Sequence, residues 1–371
     1  MSRYRVELAT PADDADLRRV LAETPMPGRI TVSFRREPSY FDAAVVEGRS
    51  CQVVAARDGD AGRIVGFGAR SIGERYVNGA PEPVGYLSSL RLLQGHRNRG
   101  LVARGYKFFR KLHADGMARL YLTTIAEGNR VALNILTSGR AGLPSYHFLG
   151  RYYTVAIPTS RCRAVHRPHG AVCIRQANAQ DLPAVLGFLE AVGPRRQFFP
   201  RREAGDFFTT HAVFRDLMPP DLLLAYRNGN LVGTLAGWDQ HRFRQTVVHG
   251  YHWPWSWLRP LYNRWAGWRG RPRLPGPGDT FRYLTAALPV VADDDHDVFT
   301  LLLDTVMDRA RTSGWDYLLL GLYESDPLLP VVHRYRATWY TTRVYVVCWD
   351  DSQALYTTLD GRPAYLELGC L

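Results

Sequence analysis

Residues 84–114, VGYLSSLRLLQGHRNRGLVARGYKFFRKLHA, restrict what this chain can fold into more than any other stretch. Leu87, Leu90, Leu92 and Leu93 place apolar side chains on both faces of one strand, as a central strand needs. Helical spacing follows at Leu101, Gly105, Phe108 and Leu112, with Arg104, Lys107 and Lys111 on the other side. Between the two elements lie Arg97, Asn98, Arg99, Gly100, Leu101, Val102 and Ala103. Free backbone N–H groups at a helix start, a glycine and flanking guanidiniums converge there. Unpaired N–H groups and the helix dipole both favour negative charge, so the turn is an anion site by construction. The competing reading is a solvated basic cap, and the order of the surrounding elements decides between them.

A chain of 371 residues is long enough for two ordinary domains, and its apolar fraction of 46% describes a globular protein. The formal net charge is +12, carried by arginine, since Lys107 and Lys111 are the only lysines. Such a balance favours phosphorylated ligands, nucleic acid, acidic carrier proteins or anionic membrane surfaces. Cys51, Cys162, Cys173, Cys348 and Cys370 are odd in number and show no C-x-x-C spacing. This argues for a reducing compartment and against a disulfide framework or a structural zinc site; no metal is expected. Asp13, Asp14, Asp16, Arg18 and Arg19 interrupt any signal-peptide core, and no run is long enough to span a bilayer. The expected location is cytoplasmic.

Read in order, Val6 to Ala9 is a strand and Asp14 to Ala22 a helix opened by Thr10-Pro11-Ala12-Asp13. Thr24 to Tyr40 holds three prolines and the pair Arg35-Arg36, and a short helix covers Phe41 to Glu47. Ser50 to Arg57 and Gly62 to Ile72 form a hairpin. After the opening stretch come a strand at Arg119 to Ile125, a helix at Asn129 to Thr137 and a closing strand at Tyr152 to Ile157.

This order, with Arg97 and Gly100 at the turn, resembles motif A of the GNAT superfamily of N-acetyltransferases, over roughly residues 3–158. The family pattern is Arg/Gln-x-x-Gly-x-Gly/Ala, and Val102 followed by Ala103 stands where its last small residue falls. The resemblance implies an α/β (α+β) fold, a mixed, mostly antiparallel twisted sheet flanked by helices. It also implies that the backbone from Arg97 through Asn98, Arg99, Gly100, Leu101 and Val102 to Ala103 holds the pyrophosphate of an acyl-coenzyme A. Backbone groups near Leu90 and Leu92 would pair with the pantetheine arm. Asn129, in Asn129-x-x-Ala132, would meet the arm's far end. The tyrosine that often protonates the leaving thiolate is replaced by Leu136, which leaves Tyr146 as the nearest later candidate. For the proton of the acceptor amine, Glu127 at the end of the fifth strand and a relay through Ser88 are the candidates. Glu127 reads equally well as an exposed loop acid, and Tyr146 reads better as core than as the acid. In some tandem members the final carboxylate reaches back as the base, a place Leu371 would take.

After a polar connection the pattern restarts. Val172 to Ala177 is a strand, and Asn178-Ala179-Gln180-Asp181 opens a helix to Val192. A hairpin turns at Arg227-Asn228-Gly229-Asn230. Phe281 to Val290, Val298 to Ser313, Tyr317 to Leu322, Leu328 to Tyr335 and Trp339 to Trp349 complete a second copy. Two copies of one order argue for duplication. The expected organisation is a domain at 1–158, a linker at 159–171, a degenerate domain at 172–350 and a tail at 351–371. In the linker, His166-x-x-His169 has metal spacing but no partner cluster, so a solvated linker is the better reading. Where the first copy has Arg97-Asn98-Arg99-Gly100, the second has Asp293-Asp294-Asp295-His296-Asp297. Those carboxylates cap a helix but repel a pyrophosphate, at about 1 kcal/mol or more each in a partly buried site.

One insert, 251–278, holds Trp253, Trp255, Trp257, Trp265 and Trp268 among arginines and reads as a long loop without regular structure. Its tryptophans would stack on bases or sugars, sit at a lipid surface, or pack the two halves together. Together these features describe an acyl-CoA-dependent N-acyltransferase, acetyl-CoA first, with a small-molecule or peptide amine as acceptor. The alternatives are an aminoacyl-tRNA or acyl-carrier-protein-dependent transferase, or a non-catalytic acyl-CoA-binding protein. The arginines of Pro25 to Tyr40 point to an acidic or phosphorylated partner, with nucleic acid a further candidate.

Overall fold

A computed structural model describes residues 3–140, 142–161, 172–209 and 211–371. The first half comprises β1 (Tyr4–Leu8), α1 (Asp14–Glu23), β2 (Ile30–Arg35), α2 (Tyr40–Ala44), β3 (Ser50–Asp58) and β4 (Arg63–Val77). It continues with β5 (Ala80–Leu92), α3 (Leu101–His113), β6 (Leu120–Ala126), α4 (Arg130–Leu136) and β7 (Ser145–Pro158). The second half comprises β8 (Val172–Gln176), α5 (Leu182–Val192), β9 (Leu222–Arg227), β10 (Asn230–Trp238), β11 (Gln245–Tyr251) and α6 (Trp255–Trp268). After these come β12 (Tyr283–Val291), α7 (His296–Thr312), β13 (Tyr317–Tyr323), α8 (Leu329–Val332), β14 (Thr338–Cys348) and α9 (Gln353–Thr357).

One sheet of twelve strands runs β1-β3-β4-β5-β6-β14-β7-β13-β12-β10-β9-β8. Only β5–β6 and β12–β13 are parallel. Read from its two ends, the sheet repeats itself, with β1, β3, β4, β5 and β6 matching β8, β9, β10, β12 and β13. The slot beside β6 is filled by β14, from Val347↔Tyr121 to Thr342↔Ala126, and the slot beside β13 by β7, from Tyr323↔Tyr152 to Tyr317↔Pro158. Each half's closing strand has crossed into the other. The exchange pairs backbone edges that would otherwise face solvent.

The cores follow the exchange. Val155 and Ile157 of β7 pack with Leu302 and Leu303 of α7, while Tyr345 and Val347 of β14 pack with Tyr106 and Phe109 of α3. The sequence division at 158 therefore falls where the chain crosses between halves of a continuous sheet. Residues 162–171 of the expected linker, with His166 and His169, lie outside the described residues.

Two elements correct the sequence reading. Thr24 to Tyr40 contains the strand β2, which pairs antiparallel with β11 from Ile30↔Tyr251 to Arg35↔Gln245. Its partner lies in the other half, so no local hairpin signal announces it. The insert 251–278 is not a loop, because α6 occupies half of it with Pro260 inside the helix. A proline removes a donor and normally ends a helix, which is why the segment reads as irregular. Nor do all its tryptophans pack the halves together: Trp253, Trp257 and Trp268 are exposed. No helix among the described residues is long and apolar enough to cross a membrane.

Candidate functional site

The parallel pairing of β5 and β6 lasts three rungs, Val84↔Leu120, Gly85↔Tyr121 and Tyr86↔Leu122. Gly85 is required there, since a Cβ would sit 2.1 Å from the buried Tyr121 ring. Thr123 Oγ1 then donates to the Leu87 carbonyl at 2.7 Å, and no further rung follows. On its other side β5 carries a bulge. Phe67↔Arg91 is followed by Ala69↔Ser88, leaving Ser89 and Leu90 unmatched, with Ser89 at φ 56°. The strands thus part at a bulge, leaving a gap edged by the β5 backbone.

At the far end of the gap the chain turns into α3. Gly100 caps it at φ 70°, a left-handed conformation that suits glycine. The N–H groups of Gly100, Leu101 and Val102 have no backbone acceptor among the described residues. Arg97, Asn98, Arg99 and Gly100 are all exposed. The buried face of α3 runs through Leu101, Tyr106, Phe109 and His113, with Phe108 and Leu112 at its edge. Beneath it lies a cavity of about 30 Å³ lined by Val54, Gly66, Phe67, Leu90, Leu101 and Phe109.

At the bulge a second cluster assembles from distant parts of the chain. Glu47, buried just beyond α2, accepts hydrogen bonds from Ser88 Oγ at 2.9 Å, from Arg244 Nη2 at 3.0 Å and from Arg36. Arg36 Nη2 also donates to Ser89 Oγ at 3.3 Å, and its guanidinium lies 4.5 Å over the Tyr40 ring. Arg244 Nη1 donates to the carbonyl oxygens of Gly369 and Leu371, each at 3.0 Å. Burial alone would push the Glu47 carboxyl up, but the charges of Arg36 and Arg244 outweigh it and hold the carboxyl below its ordinary value. Burial lowers Arg91 and Arg244, and repulsion from Arg36 adds to both. Arg36 Nη1, Arg91 Nε and Arg244 Nε are buried without a hydrogen-bond partner. Buried donors left open in this way are costly in a free protein and mark where a ligand's oxygens can go.

Solved structures share this fold. A GCN5-related N-acetyltransferase from Sphaerobacter thermophilus matches all of this chain and 99% of its own, at 13% identity and a TM-score of 0.55. The yeast (Saccharomyces cerevisiae) N-myristoyltransferase with bound myristoyl-CoA matches 94% of this chain and 79% of its own, at 8% identity and a TM-score of 0.58. The fold is that of the GCN5-related N-acetyltransferases. A glucosamine N-acetyltransferase region of a fungal multi-domain β-N-acetylglucosaminidase adds a match over 92% of this chain, at 14% identity and a TM-score of 0.60. This chain spans 38% of that longer protein. No protein-family model matches the sequence, and no curated protein matches it.

On this GNAT fold the residues singled out from sequence fall in different places. Leu90 and Leu92 edge the gap, and Arg97 to Ala103 form the turn at its end. Ser88 lies on Glu47. Glu127 stands beyond the end of β6, with Arg151 Nε and Arg343 Nε each 3.3 Å from its Oε1. Tyr146 is hydrogen-bonded to Tyr106 within the core beneath α3, where burial raises its pKa well above the usual value. Asn129 caps α4, its side chain accepting from Ala132 N at 3.1 Å. Of the candidates for proton transfer, the structure brings two to this cluster: Ser88, directly on the Glu47 carboxylate, and Leu371, whose main-chain oxygen accepts at 3.0 Å from Arg244, the arginine that also binds Glu47.

Sequence reasoning missed Glu47 and Arg244. Ala43-Ala44-Val45-Val46 before Glu47 is the signal that was there, an apolar run ending in an acid with no basic residue one turn before it. Arg244 gave no signal, because its role depends on pairing between halves. Among the described residues no group of three or more His, Cys, Asp or Glu side chains is placed to hold a metal ion.

Proposed function

We propose that the first half transfers an acyl group, acetyl foremost, from an acyl-CoA to the amine of a small acceptor that also carries an acidic group. The observation that carries this reading is a single gap in the sheet with an open anion turn at one end and the Glu47–Ser88 pair at the other. The coenzyme diphosphate would meet the free N–H groups at the start of α3. The thioester would then reach the bulge, where a backbone N–H polarises its carbonyl. The amine attacks that carbon, the C–N bond forms, the C–S bond breaks and the thiolate leaves. Ser88 Oγ, which donates to Glu47, would take the amine's proton while passing its own to Glu47.

A further feature sets the acceptor. Arg36 and Arg244 face one carboxylate, and Arg91 is near enough to Arg36 to be repelled by it, so the cluster has positive charge to spare for a carboxylate or phosphate on the acceptor. The free cysteines among the described residues are consistent with a reducing, cytoplasmic setting.

The test is release of free coenzyme A thiol from acetyl-CoA and octanoyl-CoA, with amine panels that differ in an acidic group. Turnover is expected with acetyl-CoA and an acidic amine, reduced in Ser88→Ala. Equal turnover by wild type and Ser88→Ala would remove the assigned relay. The non-catalytic reading draws on the depressed Glu47 carboxyl, a weak base at neutral pH. Any turnover above background excludes it.

A further inference from the structure

The face of α6 that the rest of the protein leaves uncovered has an unusual chemistry. Trp257, Leu261 and Trp268 are 57%, 62% and 79% exposed, and Trp253 just before the helix is 74% exposed. At 100° per residue, positions 257, 261, 264 and 268 fall along one stripe. Three of the four are large and apolar, and the fourth is the exposed Arg264. The opposite side, at Ala266, is buried.

Charge on this segment has one sign. Between residues 251 and 278 stand Arg259, Arg264, Arg269, Arg271 and Arg273, with no aspartate or glutamate. Arg269 lies 5.0 Å from the centre of the Trp268 ring and Arg271 4.3 Å from that of Trp265. Exposed tryptophans at a water boundary favour a medium that is apolar below and polar above, which is the headgroup region of a bilayer. A helix with such a face, flanked by arginine and free of acids, has the chemistry of one that lies in the plane of an anionic membrane. A single-stranded nucleic acid would also accept arginine and aromatic rings, but it has no use for an exposed aliphatic Leu261 in the middle of the stripe.

We propose that α6 docks this protein on anionic lipid surfaces, with Trp253, Trp257, Leu261 and Trp268 entering the headgroup boundary and the arginines pairing with lipid phosphates. The position of the helix gives docking a consequence. A groove lined by Pro27, Gly28, Arg29 and Thr31 of the first half and by His252 to Trp255 opens at the start of α6. From it β2 runs to Arg36 in the buried cluster, a path of roughly 20 Å for six residues of strand. Docking therefore holds one end of the acceptor-side strand at the lipid surface. The proposal stands on the exposed face and its charge and is independent of the acyl-transfer reading.

Co-sedimentation tests it, using phosphatidylcholine vesicles and vesicles in which about a third of the lipid is phosphatidylglycerol. The full chain is expected to sediment with the anionic vesicles, less at high salt, and weakly with the neutral ones. The triple variant Trp257→Ser/Leu261→Ser/Trp268→Ser and the double variant Arg264→Glu/Arg269→Glu should each lose about 10-fold or more in partitioning. All five side chains are solvent-exposed, and unchanged thermal unfolding shows that the variants fold. Tryptophan emission of the wild type should shift to the blue on adding anionic vesicles. Absence of both sedimentation and shift overturns the proposal, as does a triple variant that partitions like wild type. Retention of a single-stranded RNA by the wild type but not the triple variant, with no vesicle binding, would also sink it.

Discussion

β5 and β12 match rung for rung. Val84 to Tyr86 pair in parallel with Leu120 to Leu122, and Tyr283 to Thr285 with Tyr317 to Leu319. Five positions beyond the first rung, each strand bulges at a left-handed residue, Ser89 at φ 56° and Leu288 at φ 53°. From there the halves diverge. In the second, Leu288 N donates to Glu367 Oε2 at 3.1 Å. At the start of α7, Asp295 accepts from Asp297 N at 2.9 Å and Val298 N at 3.1 Å, and Arg227 binds it at 2.7 Å. Arg195 and Arg196 hold Asp293 and Asp294. The bulge N–H and the helix-start N–H groups of the second half are taken by the protein's own carboxylates, whereas the helix-start N–H groups of the first half have no backbone acceptor among the described residues. A tethered carboxylate competes at a high effective concentration, so an external diphosphate meets both an occupied site and like charge. The scaffold alone does not decide which half can take an anion; the residues that already supply one do.

The largest effect that would break this contrast comes from the buried carboxylate of the first half. Glu47→Gln leaves Arg36 and Arg244 without their partner, which should cost roughly 3 kcal/mol of stability, and should cut turnover by roughly 100-fold or more. Because that loss of stability lowers the yield of folded protein, Ser88→Ala is its companion, with a drop in kcat and little change in the denaturation midpoint. Normal turnover in both would detach the cluster from the chemistry.

The anion turn comes next. Gly100→Glu adds a carboxylate beside the open N–H groups and strains a residue at φ 70°, so acetyl-CoA affinity should fall by about 100-fold. Calorimetry should find one site per chain in the wild type and none in this variant at the same concentrations. A second site in the wild type would show that Asp295 and Glu367 do not close the second half.

The repeat itself was legible in the sequence because it is local. Strand, turn and helix at 84–114 and the acidic turn at 293–297 show their character within about thirty consecutive residues or fewer, and the structure places both turns at helix starts. The strand exchange was not legible, since β7 and β14 have the same pattern whichever half they join. The site divides the same way. Gly100 and the arginines beside it follow from one turn, whereas Glu47 acquires its role from Arg36, Ser88 and Arg244, brought together by pairings as distant as β2 with β11. Glu127 and Tyr146 were chosen by position in the chain, and the structure shows each with other partners.

Asp295→Ala gives a smaller effect of the opposite kind. It removes an N-cap and the partner of Arg227, and should lower stability by about 1 kcal/mol in denaturant unfolding. Acetyl-CoA affinity should stay as in the wild type, because Leu288 N remains occupied and Asp293 and Asp294 still repel. If binding at a second site appears, the cap alone was closing the half.

The smallest effect distinguishes the two buried glutamates by the sign of their pH dependence. Glu47 lies below its ordinary value of 4.5, so its stabilisation is complete above that pH and is lost as the pH falls through the folded-state value. Glu367 is pushed above 4.5, by burial first, against the opposing pull of Arg202 and the hydrogen bonds from Tyr365 and Leu288. Its contribution is complete below 4.5 and is lost as the pH rises through its folded-state value. Glu367→Gln should therefore flatten the loss of stability on the alkaline side of 4.5 and leave the acid limb in place. A variant that changes only the acid limb would mean that the Glu367 carboxyl lies below its ordinary value in the folded protein, as that of Glu47 does.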